Sequence, residues 1–254
     1  MPGRYVSVAE AAALLGVHPQ RVHQRIRDGS LTAEKIGHQW VIDRAELRYL
    51  SHHATPGRPL SITSAWDLIA VAHGAQACVD LSAPARSRAR SRLRNLLTHA
   101  RSGDLEDVAA RTVKALRNRA GRALFTASPR DLPGLRDDPR LHLSGASLPE
   151  SGISFGDGIE GYVTCADLDA LIEDHLLTPA ARSHANVILH VVPPDAGTLT
   201  HESLRDVVRS PLVLAADLAE HDGIREKNQA VQCLSELSGR LLTHSAGTHL
   251  GTHG

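Results

Sequence analysis

The stretch Ser7-Val8-Ala9-Glu10-Ala11-Ala12-Ala13-Leu14-Leu15-Gly16-Val17-His18-Pro19-Gln20-Arg21-Val22-His23-Gln24-Arg25-Ile26-Arg27-Asp28-Gly29 decides the fold of the front of this chain. Ser7 and Glu10 have the spacing of a capping box, in which each side chain satisfies a backbone amide that a helix start leaves open. Gly16 stands where a left-handed C-terminal cap is wanted. The first helix is therefore predicted from about Val8 to Leu15. At 100° per residue Val8, Ala11, Ala12 and Leu15 share its core face. Pro19 suits a first helical position because its missing amide would be unpaired there anyway. A second helix follows, to about Asp28. It turns Val22 and Ile26 inward and presents Gln20, Arg21, Gln24 and Arg27 outward, with His23 and Arg25 on its flanks.

Outward from this pair, Leu31-Thr32-Ala33-Glu34-Lys35-Ile36, Gly37-His38 and Gln39-Trp40-Val41-Ile42 read as two short extended runs joined at a glycine, hence a hairpin. Asp43 is placed to cap a helix through Leu50, and the residues after it have the composition of a linker.

The order of helix, tight turn, helix, hairpin and helix resembles the excisionase and MerR-type winged helix-turn-helix. The resemblance is carried by Ser7 to Val17, Val22 to Leu31, Lys35-Ile36-Gly37 and Trp40-Val41-Ile42. It implies a second helix in the major groove of DNA and a wing against the adjacent backbone or minor groove. Pro19, Gln20, Arg21, His23, Gln24 and Arg27 would then lie on the recognition helix, and Lys35, His38 and Gln39 on the wing. Arg and Gln suit that role, since their forked polar ends match guanine and adenine edges. Trp40 departs from the smaller or basic residue frequent in that family and reads as wing packing.

The net charge of zero conceals a polarity. Residues 1–58 carry eight basic against five acidic side chains, residues 59–122 eleven against five, and residues 123–254 nine against eighteen. A basic front and an acidic back assign phosphate contacts to the front. The middle is helical in pattern: Ser61 to near Gly74, Pro84 to Ala100, and Asp104 to Arg119. In the second of these, Ala85, Ala89, Leu93 and Leu96 form an apolar seam. Arg86, Arg90 and Arg94 flank it on one side and Arg88 and Arg92 on the other, so all five are candidate phosphate contacts. The competing reading is a solvated face whose long stems cover apolar surface.

After Gly121 short strands alternate with helices. Strands are predicted at Ala123–Thr126, Leu141–Leu143, Gly161–Thr164 and Val187–Val192. Helices are predicted at Arg130–Arg136 and Asp167–Leu177, with one or two more within Ser203–Leu242. The expected fold is mixed α and β, with a winged helix-turn-helix over 1–53, a linker at 54–60 and a basic helical segment at 61–122. An acidic α/β or α+β domain at 123–242 and a tail at 243–254 complete it.

Several spacings in this remainder resemble antitoxins of the AbiEi type, transcriptional autoregulators paired with a nucleotidyltransferase toxin. They are Arg58-Pro59-Leu60-Ser61 with Ser64 to Leu68, Leu132-Pro133-Gly134-Leu135 with Asp138-Pro139-Arg140, Leu143 to Ala146, Gly161-Tyr162-Val163, Asp167 to Leu171, and Leu214 to Leu218 with Arg225-Glu226. The excisionase-like front end departs from the commoner front end of that family. The resemblance implies a repressor of its own operon that binds operator repeats, as a homo-oligomer on DNA and with a cognate toxin. The alternative is a regulator whose acidic domain senses a small molecule.

No residue pattern supports an enzyme. Gly156-Asp157-Gly158-Ile159-Glu160-Gly161 spells a dinucleotide fingerprint, but a strand, not a helix, is predicted to follow it. His244, His249 and His253 lie among small residues without metal-site spacing, and the acidic run Asp167, Asp169, Glu173, Asp174 has no base or ligand set beside it. No cofactor and no metal are expected. Cys78, Cys165 and Cys233 form no paired motif, no apolar run reaches the roughly 20 residues of a membrane span, and no apolar leader opens the chain. A cytoplasmic protein without a membrane partner is expected.

Overall fold

The computed structural model describes residues 5–27, 31–37, 39–44, 46–47, 59–74, 81–153, 156–196 and 201–247, the side chains at 195, 201 and 242–247 excepted. The front of the chain folds as predicted in its helices. Helix α1 spans Val8–Leu15, and both halves of the Ser7/Glu10 capping box are formed. Gly16 takes φ 63°, and its N–H closes on the carbonyls of Ala12 and Ala13. Helix α2 spans Pro19–Arg27. Ala11 and Ala12 pack with Val22, Leu31, Ile42 and Val6 in a small core.

A strand that the sequence reading did not include, β1 (Tyr5–Ser7), precedes α1. It pairs with β3 (Gln39–Asp43), which also pairs with β2 (Glu34–Ile36), giving a three-stranded antiparallel sheet with β3 in the middle. The hairpin is shorter than predicted: Leu31 leaves the strand and is buried in the core. Asp43 ends β3, the backbone at 44, 46 and 47 is helical, and the rest of the helix expected to Leu50 lies outside the described residues, as does most of the 54–60 linker.

The larger unit begins at Leu60, whose carbonyl accepts from Asn118 Nδ2 at 2.6 Å. Helices α3 (Ile62–His73), α4 (Ala83–Ser102) and α5 (Leu105–Leu116) each start at a side-chain cap, Ser61, Ser82 and Asp104. A 3-10 turn, Arg117–Arg119, replaces the predicted last turn of α5. Strand β4 (Gly121–Thr126), helix α6 (Leu132–Arg136), β5 (His142–Leu143), β6 (Ile159–Thr164), α7 (Leu168–Asp174), β7 (Thr178–Pro179) and β8 (Val187–Val192) follow. Three helices close the described chain: α8 (His201–Val208), α9 (Pro211–Ala219) and α10 (Ile224–Gly247). The sequence predicts one or two in this stretch. The break before α9 is the cap Ser210 with Pro211 in the first turn, a start signal legible in the sequence. Helix α10 runs to Gly247, so residues 243–247 of the expected tail are helical, and the rest of that segment lies outside the described residues.

The strands form one five-stranded sheet, ordered β5-β6-β8-β4-β7, in which β6 and β8 are parallel and the other pairs antiparallel. Because side chains alternate along a strand, the sheet has two differently used faces. Ile159 and Val163 of β6 with Val187 and Leu189 of β8 pack under Leu132, Leu135 and Leu171. The opposite face carries Glu160, Tyr162 and His190 toward the helical layer.

That helical layer corrects the division expected at residue 122. Trp66, Leu68, Leu93, Leu96, Val113 and Leu116 from the basic segment share one core with Leu212, Val213, Ala216, Leu234 and Tyr162 from the acidic half. Each amphipathic helix of residues 61–122 has too little apolar surface to fold alone, and α9, buried from Leu212 to Ala219, supplies what it packs on.

The glycines of the dinucleotide-like run have structural reasons. Gly156 has φ 63°, and a Cβ on Gly161 would stand 2.8 Å from the carbonyl oxygen of His142 on the neighbouring strand. The run leads into a strand, β6, which begins at its fourth residue, Ile159.

Candidate nucleic-acid interface

Val22, fully buried against α1, orients α2 so that Pro19, Gln20, Arg21, His23, Gln24 and Arg27 are all exposed. His18 Nδ1 accepts from the Gln20 amide at 3.3 Å, tying the turn to the first turn of the helix. Arg21 Nη1 donates to Gln24 Oε1 at 2.7 Å, as side chains three apart on a helix can. Arg27 Nε donates to the His23 carbonyl at 3.4 Å. His18, Gln20, Arg21, Gln24 and Arg27 line one shallow open depression. The face is rich in donors and carries no carboxylate, which suits phosphate and purine acceptors.

On the wing, Lys35 lies opposite Trp40 and Ile36 opposite Gln39 across the β2–β3 pair. Lys35 and Gln39 are exposed, Trp40 is half-buried, and His38 lies outside the described residues. The turn between the strands starts at Gly37 with φ 62°, where a side chain would be strained. Ile36 is an exposed apolar side chain on the same ribbon.

The far end of β3 anchors this unit to the larger one. Asp43 accepts from the Ser183 hydroxyl, and Glu46 Oε2 accepts from Arg182 Nε at 3.2 Å. Both carboxylates are buried at that junction.

The five arginines of α4 divide by environment. Ala89, Leu93, Leu96, Leu97 and Ala100 form the buried seam, and Ala85 is only half-buried. Arg86, Arg90 and Arg94 line a groove with Ala83 and Ser87, and Arg86 Nη2 donates to the Leu81 carbonyl at 3.2 Å. Arg88 and Arg92 lie on the side of Asp67. Partial burial raises the pKa of that carboxyl, and the two guanidinium groups oppose the shift. Arg90 and Arg94 thus present their charge outward, while Arg88 and Arg92 are partly compensated.

The densest set of ionisable side chains was not anticipated, and it lies inside. Arg119, 1% exposed, donates to Tyr162 Oη (2.6 Å), Glu220 Oε1 (2.7 Å) and Asp217 Oδ1 (2.6 Å). Tyr162 Oη donates to Asp217 Oδ1 at 2.7 Å, and the Ser144 hydroxyl donates to the other oxygen of Asp217. Beside it Glu160 accepts from the Ala146 amide (3.0 Å) and is held by His190 Nε2 (3.0 Å) and His221 Nε2 (2.9 Å). The Tyr162 and His190 rings stack at 4.7 Å. Burial pushes the Glu160 carboxyl up, but the two histidines outweigh it and hold the group well below the usual carboxylate range. No local signal marks Arg119 as buried; the nearest one is Gly145. Its φ is 55°, and a Cβ there would overlap the Glu160 carboxylate.

Among the described residues no group of three or more His, Cys, Asp or Glu side chains is arranged to hold a metal ion, and no helix is long and apolar enough to cross a membrane. His249 and His253 lie outside the described residues. No curated protein and no solved structure matches the chain significantly. Residues 5–50 match the family model of a helix-turn-helix domain, the segment that holds α1, α2 and the three-stranded sheet. The chain therefore carries an N-terminal helix-turn-helix DNA-binding domain, as a DNA-binding regulator does.

Proposed function

We propose that this protein is a transcriptional repressor of its own operon, the antitoxin of a toxin–antitoxin system whose toxin is a nucleotidyltransferase. The observation that carries the DNA-reading part is the exposed, carboxylate-free face of α2, held on a packed core beside the wing that exposes Lys35 and Gln39. In this reading Gln20, Arg21, Gln24 and Arg27 face base edges, Pro19 and His23 border them, and Lys35, His38 and Gln39 reach the flanking backbone. Arg90 and Arg94, with Arg86, add phosphate contacts from α4. Two or more copies occupy operator repeats, because a single short recognition helix covers only part of one helical turn.

The larger domain serves as the partner-binding part, and the protein performs no chemistry of its own. Its clustered ionisable groups hold the interior together and face neither partner nor substrate, since Arg119, Asp217 and Glu160 are buried and already paired with one another and with their neighbours. A second reading, a regulator that senses a small molecule, draws on one observation: an arginine-lined cleft in the larger domain.

Footprinting on the DNA upstream of the protein's own gene tests the first reading. A protected repeat at near-physiological salt is expected. Equal affinity for that DNA and for random duplex would overturn autoregulation. Co-purification with the product of a neighbouring nucleotidyltransferase gene is expected for the antitoxin, and its failure when both are co-expressed would remove that identity.

A further inference from the structure

A cleft of about 370 Å³ opens between the end of α6, strand β5 and helix α8, in the range of small-molecule sites. Its floor is formed by Leu141 and Leu143 on either side of the buried His142. Its walls bring together three guanidinium groups from two separate elements. Arg136 stands in the last turn of α6, while Arg205 lies in α8 and Arg209, four residues on, just past its end.

The charge balance of these walls is the informative feature. Like charges one helical turn apart repel weakly, so an anion between Arg205 and Arg209 would be favoured. Among the described residues none of the three guanidinium groups is ion-paired; Arg136 meets only the Gly158 carbonyl, at 3.3 Å. Asp138, the carboxylate on the opposite wall, is already saturated. It accepts from Arg140 through Nε (2.9 Å), Nη2 (2.6 Å) and the backbone amide (2.9 Å), and His175 Nε2 lies 2.9 Å away. Arg140 foremost holds the Asp138 carboxyl far below its ordinary range. Arg140 also reaches Asp174 at 2.8 Å, so the neighbouring acidic helix is engaged away from the cleft. Asp137 is left at the rim, exposed.

Leu204, Val207 and Val208 are buried beneath α8, which fixes the side from which Arg205 and Arg209 project. The arrangement is thus a basic wall beside Leu141 and Leu143. Guanidinium forks bind phosphate through paired N–H donors, and the two leucines accept the organic part of a ligand.

We propose that this cleft is a binding site for a small phosphorylated molecule, with Arg205 and Arg209 holding the phosphate and Arg136 closing on it. The inference stands apart from operator recognition, because none of its residues belongs to the helix-turn-helix domain or to α4.

Isothermal titration of inorganic pyrophosphate and of ATP into the full chain at low ionic strength tests it, with sulfate as control. Pyrophosphate or ATP is expected to bind more tightly than sulfate, and R205Q/R209Q is expected to weaken that binding by about tenfold or more. The same variant should melt with the parent and footprint the same operator, so that loss of the site is distinct from loss of fold or of DNA reading. R136Q, on the other wall, should weaken binding independently and serves if the double variant fails to fold. Unchanged affinity in both variants would place the anions on the other basic surfaces and overturn the proposal. Binding no tighter than sulfate would overturn it as well, and competition by a short DNA duplex that survives R21A/Q24A would show a nucleic-acid surface instead.

Discussion

Arg119 Nη2 and Asp217 Oδ1 meet at 2.6 Å, 98 residues apart in sequence and both out of contact with water. The pair joins the turn after α5 to α9, and so joins the basic and the acidic stretches of the chain. Tyr162, Glu220 and the Leu116 carbonyl take three more donors of the same guanidinium, so that each of its three nitrogens has a partner inside the protein. A buried ion pair does not by itself argue for high stability, but removing one partner strands the other in a low-dielectric interior.

Arg119→Met is therefore expected to lower unfolding stability by about 3–5 kcal/mol, because Asp217 and Glu220 remain buried without their counter-charge. Arg90→Gln, on the open face of α4, should change it by less than about 0.5 kcal/mol. Urea unfolding followed by far-UV circular dichroism measures both. Equal midpoints for Arg119→Met and the parent would show that the core accommodates the unpaired carboxylates, for instance by protonation.

The same network sets the pH range of stability. Burial pushes the Glu220 carboxyl up, but Arg119, with His190 and Arg122, draws it from an ordinary 4.5 down to about 2. A carboxyl depressed by folding contributes fully above its unfolded pKa, and the contribution fades as pH falls from about 4.5 toward 2. His221 has the opposite sign. Burial alone would lower its pKa, yet Glu160 raises it above 6.5, so its contribution is complete below 6.5 and is lost as pH rises through the folded value. Urea midpoints are expected to be highest between these limits. His221→Gln should remove the alkaline decline and leave the acid one, and a parallel drop on both sides would assign the alkaline limb to another group.

For operator reading, Gln24→Ala and Arg21→Ala are each expected to weaken specific binding by about 1–3 kcal/mol with little effect on random duplex. Because Arg21 donates to Gln24, the two losses should not add, and the double variant should fall short of their sum. Fluorescence anisotropy on operator and scrambled duplexes reads all three. A uniform loss on every sequence would make these side chains phosphate contacts.

The salt dependence of operator binding separates the two sides of α4. Neutralising Arg90 and Arg94 should flatten the slope of log K against log salt by about 2 if each releases one counterion equivalent from duplex DNA. Neutralising Arg88 and Arg92, which share the field of Asp67, should change it less. An unchanged slope in the first pair would leave α4 a solvated face.

Which parts were legible in the chain follows from how far apart the deciding partners stand. The Ser7–Glu10 box, the left-handed Gly16, the Pro19 start and the Gly37 turn are settled within three or four residues of themselves. The order helix, turn, helix, hairpin was therefore readable, and with it the exposed set on α2. Strand β1 was not, because three residues become a strand only when Val6 finds Ile42 across the sheet. The caps of α3, α4 and α5 were local and readable. That these helices share a core with α9 was not, since their apolar seams name no partner. Likewise the sequence by itself determined that Arg119, Glu160 and Asp217 are charged, and it determined the side-chain alternation of β6 and β8. Only the tertiary structure decided that the sheet turns Glu160, Tyr162 and His190 toward Arg119 and Asp217, because a buried charge is tolerable only where distant partners converge to satisfy it.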